Sequence, residues 1–210
     1  MKDYKTIEQE AFSEFIEKKS RFIGYACPAS TENEALDFVN RIRKKHQDAK
    51  HNVYAYVVRE NNIQRFSDDG EPQGTAGIPV LDTIKKQGLT DIAVVVTRYF
   101  GGILLGGGGL VRAYGHSASI GIEKAHPVFM RYSTVYEIHV DYHLLGKIEY
   151  ELRCLDLTIE EPVYETDVKL NVCVLSQNCQ QFESVITEAA MGRAGIKKID
   201  ERYVAYDNLI

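Results

Sequence analysis

Residues Ile92–Ala125 read IAVVVTRYFGGILLGGGGLVRAYGHSASIGIEKA: an apolar strand, two groups of glycines, then a helical pattern from Leu110. Six glycines fall between Gly101 and Gly109, although glycine loses more backbone freedom on folding than any other residue. Such a run suits a backbone that must take positive φ, pack closely or lie against a ligand. A helix starting near Gly108 would aim unsatisfied N–H groups and a partial positive charge back at the loop. Strand, glycine loop and helix start together form an arrangement that often binds phosphate or carboxylate.

Before this stretch, Lys5 to Ala26 reads as extended segments, with Ser20–Ala26 the most strand-like. Thr31 followed by Glu34 is a capping box, and Ala35, Leu36, Val39 and Ile42 supply a buried stripe at helical spacing. Asn52–Arg59 is a strand expected to pair with Ile63–Phe66, and Ala76–Gln87 a helix stopped by Gly88. After it, His126-Pro127 marks a boundary, because proline disfavours helix at the preceding residue. The expected domains are therefore 1–126 and 127–210. The second reads strand Val135–Tyr142, helix Leu144–Leu155, strands Leu157–Pro162 and Glu165–Leu175, helix Cys179–Ala190 and strand Ile199–Tyr206. That βαββαβ order is the ferredoxin-like pattern, so the fold class is α+β.

Of 210 residues, 44% are hydrophobic and 26% charged, the composition of a soluble globular protein rather than a disordered one. No run of 18 apolar residues exists and the polar N-terminal stretch does not resemble a signal, so a cytoplasmic setting without membrane contact is expected. Cys27, Cys154, Cys173 and Cys179 lack metal-type spacing and read as reduced core thiols. The net charge of −5 argues against coating nucleic acid by charge alone. Residues 1–126 are nevertheless close to neutral, with 17 basic and 16 acidic side chains, so if a polyanion binds, this half is the better candidate.

Three constellations could carry chemistry. The glycine loop fits neither the P-loop nor the dinucleotide fingerprint, but Arg98 and Arg112 flank it and could grip an anion bidentately. With Gly101, Gly102, Gly106, Gly107, Gly108, Gly109 and Thr75 they form the candidate anion site; alternatively the glycines serve packing and the arginines pair with local carboxylates. In Ser67–Gly77, Asp68, Asp69 and Glu71 could hold Mg²⁺ or act as acid and base, or could simply build a turn with Thr75 capping the next helix. His51 could titrate near neutral pH or serve as a structural histidine. The basic stretch Arg41–His46 reads as a solvated helix face or a phosphate contact, and Ser117 and Ser119 lack a nucleophile elbow.

Together these motifs resemble the IMPACT family in its bacterial YigZ/YvyE-type branch. The resemblance is carried by Ser20–Phe22, Lys50–Asn52 with Ala55-Tyr56, Phe66–Pro72, Gly74–Gly77 and Arg98–Tyr114, spanning about residues 18–125. One departure is Gly107, where the family usually has threonine, so any role of that hydroxyl is missing from this chain. The resemblance implies a first domain of the type of the second domain of ribosomal small-subunit protein five. It also implies a second, ferredoxin-like domain similar to the last domain of elongation factor G. Eukaryotic IMPACT proteins are translational regulators, so the resemblance implies a regulator or binding protein contacting RNA, the ribosome, a translation factor or a phosphorylated ligand. The alternative is a metal-assisted enzyme acting on a small phosphorylated molecule.

Overall fold

The computed structural model describes residues 2–157, 159–160 and 162–206 and divides into two compact units, Tyr4–Phe129 and Met130–Tyr206, the latter with Lys2 and Asp3. The division falls inside a strand, a few residues after the boundary expected at His126-Pro127, because Pro127 opens a long strand rather than a linker.

In the first unit the elements run β1 (Tyr4–Ile7), β2 (Ala11–Glu17), β3 (Ser20–Pro28), α1 (Glu32–Lys45), β4 (His51–Val58), β5 (Ile63–Ser67), α2 (Gly77–Lys86), β6 (Ile92–Tyr99) and α3 (Gly107–Lys124). An antiparallel sheet has the order β2-β3-β6-β4-β5, with β6 in its centre. Ile92, Val94 and Val96 face the core beneath α2 and α3, while Ala93 and Val95 face the core beneath α1. A strand covered on both faces needs apolar side chains in succession, which explains its unbroken run.

The capping box at Thr31 forms as expected. Its helix buries Ala35, Val39 and Ile42, but Leu36 is 37% exposed and Phe38 takes its place in the core. α3 lies almost directly on β3. A Cβ on Gly24 would stand 2.1 Å from the Ser117 carbonyl oxygen, and one on Gly121 would stand 2.7 Å from that of Gly24. Backbone therefore meets backbone, and only glycine permits it.

The second unit is built from β7 (Pro127–Val140), α4 (Tyr142–Cys154), β8 (Val163–Tyr164), β9 (Val168–Leu175), α5 (Cys179–Ala189) and β10 (Gly195–Tyr206). β10 pairs β7, β7 pairs β9 and β9 pairs β8, the ferredoxin-like arrangement. Among the described residues of the strand expected over Leu157–Pro162 a single bridge forms, Ile159 to Val172, and ladder pairing is seen from Val163. Thr158 and Glu161 of that expectation lie outside the described residues. The core joins Tyr136, Ile138 and Val140 to Ile148, Leu152, Phe182 and Ile186. All four cysteines are free, but none is fully buried, which corrects their reading as core thiols.

Candidate functional site

The acidic turn spends its carboxylates on the fold. Asp68 accepts the Gly74 N–H at 2.9 Å through one oxygen, and the Ala76 and Gly77 N–H groups at 3.1 and 2.8 Å through the other. It thereby caps α2 from outside the helix, satisfying donors that have no intrahelical partner. Thr75, the expected cap, instead donates its hydroxyl to the Pro72 carbonyl at 2.7 Å. Asp69, at φ +45°, accepts from the Asn52 N–H at 2.6 Å and from Arg43 at 2.9 Å.

Glu71 is buried under a single cluster. Its Oε1 accepts from Arg98 Nη1 at 2.6 Å and from the Tyr114 hydroxyl at 2.8 Å, and His51 Nε2 lies 3.8 Å away. His51 Nδ1 meets the Asp69 carbonyl at 2.8 Å, so the ring ties β4 to the acidic turn. Burial, reinforced by the Glu71 charge, pushes ionisation of the Tyr114 hydroxyl far up and keeps it a donor. Among the described residues, no three His, Cys, Asp or Glu side chains converge as a metal centre would need. Asp68, Asp69, Glu71 and His51, the residues expected for acid–base chemistry or Mg²⁺, are thus brought together in a hydrogen-bonded hub.

Arg98 belongs to that hub. β6 places it opposite Phe22 on β3 and His51 on β4. Its side chain is 6% exposed, and its guanidinium lies 5.4 Å from the ring centres of both Phe22 and Phe100. Its Nη1 is taken by Glu71 and its Nη2 reaches the Ser20 hydroxyl at 3.5 Å, while its buried Nε makes no hydrogen bond among the described residues.

The loop glycines divide by physical cause. Gly101 touches backbone: a Cβ there would stand 1.9 Å from the Lys19 carbonyl oxygen, and its N–H reaches the Ser20 hydroxyl at 3.2 Å. A Cβ on Gly109 would crowd Leu105 at 2.9 Å, while Gly102 and Gly106 take φ of +83° and +73°. Gly107 and Gly108 meet neither demand, their nearest neighbours being 3.8 and 4.0 Å from an added Cβ. These two open α3, whose N-cap, Gly106, offers no side chain to the first amides. The first N–H groups of α3, which lack an intrahelical partner, are therefore those of Gly107–Gly109.

Beside them stands Arg112. Of the seven arginines in the first unit, Arg21, Arg41, Arg43, Arg59, Arg65 and Arg98 each pair with a carboxylate. Among the described residues Arg112 has no such partner, and it faces a cavity of about 270 Å³ shared with Lys18 and His116. Lys18 and His116 escape sequence reasoning because a hairpin turn brings the first to the helix. The spacing of Arg112 and His116, one helical turn apart, was the available signal. The arrangement can neutralise a compact anion.

Fold and site together define a two-domain α+β protein with an open, cation-flanked helix start on its first domain. Residues 18–122 match the Impact N-terminal domain, and residues 138–193 match a Domain of unknown function (DUF1949). The chain is 42% identical over 202 residues to IMPACT family member YvyE of Bacillus subtilis (strain 168), covering 96% of this chain and 93% of that protein. It is 35% identical to IMPACT family member YigZ of Escherichia coli (strain K12), covering 88% and 92%. Against Protein IMPACT of Xenopus laevis the likeness is 35% over 96 residues, 43% of this chain and 30% of that protein. A solved structure titled "Crystal structure of an hypothetical protein" superposes with a TM-score of 0.59 at 32% identity, over 95% of this chain and 98% of the other. The chain belongs to the IMPACT family. No helix among the described residues is long and apolar enough to cross a membrane.

Proposed function

We propose that the protein is a cytoplasmic binding protein of the translation apparatus that takes hold of RNA or ribosome phosphate at the start of α3. The observation that carries this reading is Arg112, an arginine without a carboxylate partner among the described residues, beside the uncapped amides of Gly107–Gly109. A guanidinium and bare helix-start N–H groups are the two donors phosphate oxygens favour. Family membership supports the translational setting through its eukaryotic regulators, and the elongation-factor-like pair of fold types supports it by analogy. Metal-assisted chemistry is the weaker reading, since Asp68, Asp69 and Glu71 are already engaged by backbone, arginine and tyrosine donors.

Ribosome co-sedimentation and titration with short RNAs across salt concentrations test the proposal. Association should occur at low salt and fall with a shallow slope, because few cations are free to displace counterions. Arg112→Ala should weaken binding and reduce that slope by about one. Absence of association at low salt, or an Arg112→Ala protein that binds like the parent, would overturn it.

A further inference from the structure

The cavity beside α3 is more than an extension of the helix start. It is enclosed by two separate elements, the β2–β3 turn with Lys18 and the first turns of α3 with Arg112 and His116. Phe15, Leu105 and Ala113 form its apolar wall, and the Phe15 ring meets the edge of His116 with centroids 4.7 Å apart. Among the described residues, Lys18, Arg112 and His116 take part in no ion pair, so all three remain available to a guest.

We propose, resting on the phosphate-binding reading above, that this cavity is a subsite for a nucleoside 5′-monophosphate, whether free or as the 5′ end of an RNA. Three points of chemistry favour a terminal over an internal phosphate. A phosphomonoester carries nearly two negative charges at neutral pH, against one for a phosphodiester, and two cations, Lys18 and Arg112, meet here beside the His116 ring. A volume of about 270 Å³ lies at the small end for ligand sites and suits one nucleotide rather than a strand passing through. The apolar wall gives a sugar or base a dry surface that a bare inorganic anion would not use.

The turn supplies an independent sign. Lys18 and Lys19 form a two-residue hairpin between the paired residues Glu17 and Ser20, with φ of +44° and +66°. Asn-Gly is the low-strain choice for such a turn. Lysine at the first position sets a cation over the cavity in spite of the strained backbone. Glu17, on the same rim, supplies a repulsive element against ligands with further phosphates and an acceptor for a sugar hydroxyl.

Fluorescence anisotropy with two short RNAs of one sequence, one 5′-phosphorylated and one 5′-hydroxyl, tests this, with AMP and UMP as competitors. The 5′-phosphorylated RNA should bind at least tenfold tighter. Lys18→Ala and His116→Gln, both at exposed positions, should weaken binding of the 5′-phosphorylated RNA at least tenfold and that of the 5′-hydroxyl RNA by less, so that the preference disappears. Equal binding of the two RNAs, with both lost in Arg112→Ala, would overturn the subsite and leave the RNA-binding reading standing. Binding of AMP or UMP without either RNA would support the subsite with a free nucleotide as ligand and overturn the RNA reading. Binding of none of these would overturn both.

Discussion

Glu71 and Arg98 join at 2.6 Å with side chains only 4% and 6% exposed, at the end of the central strand of the first unit. The pair stands where a ligand-binding arginine was expected, and the burial of both partners makes it a device of the fold. Glu71→Gln keeps the shape and an oxygen for Tyr114 but leaves the Arg98 charge buried without its counter-ion. It should cost about 3–5 kcal/mol, read as a lower midpoint in urea unfolding. A midpoint equal to the parent's would refute this account.

Asp68 separates the structural and metal accounts of the acidic turn. Asp68→Ala removes the acceptor of three amide bonds at the start of α2 and should lower stability by about 1–2 kcal/mol. RNA binding by the folded protein should be unchanged, with or without added Mg²⁺. Binding lost in step with the metal would show that the carboxylate serves a ligand.

The glycines of the first unit should respond in opposite ways. Gly24→Ala drives a methyl into the Ser117 carbonyl, where neither backbone can yield, and should cost about 3 kcal/mol. Gly107→Ala places a methyl 3.8 Å from Thr75, an ordinary contact, in the first turn of α3 and should be neutral or stabilising by about 0.5 kcal/mol. Thermal unfolding of the two variants side by side gives the comparison, and a destabilised Gly107→Ala would show that the position is packed.

In the second unit, His139 lies between two carboxylates, 2.8 Å from Glu137 and 3.2 Å from Asp167. The hydrogen bond to Glu137, with Asp167 contributing, raises its pKa above the usual value near 6.5. A base with a raised folded pKa stabilises fully below its unfolded value, and the benefit is lost as pH rises through the folded pKa. Stability of the parent should therefore decline from about pH 6.5 upward relative to His139→Gln. Urea unfolding at several pH values reads the difference, and parallel profiles would contradict it. The effect should be small, because the ring is partly exposed.

The elements around the glycine loop are legible because each carries a local signal. Thr31 and Glu34 announce α1, and an unbroken apolar run announces a strand covered on both sides. The site is less legible. Arg98 and Arg112 look equivalent in the sequence, and what separates them is Glu71, brought to Arg98 from a turn 27 residues earlier. Leu36 misleads for a related reason: helical spacing allows either it or Phe38 to face inward, and the shape of the sheet decides. Lys18 carries no signal at all, since its relevance arises only once β2 and β3 pair.

The seating of α3 directly upon the main chain of β3 has a mechanical meaning. At Gly24, Ser117 and Gly121 main chain rests on main chain, while the Phe22 ring of the strand meets Tyr114 of the helix edge-on at 5.4 Å, so the helix is seated at one height along the strand. The start of α3 and the hairpin bearing Lys18, which meet at one cavity, are thereby held at a set spacing.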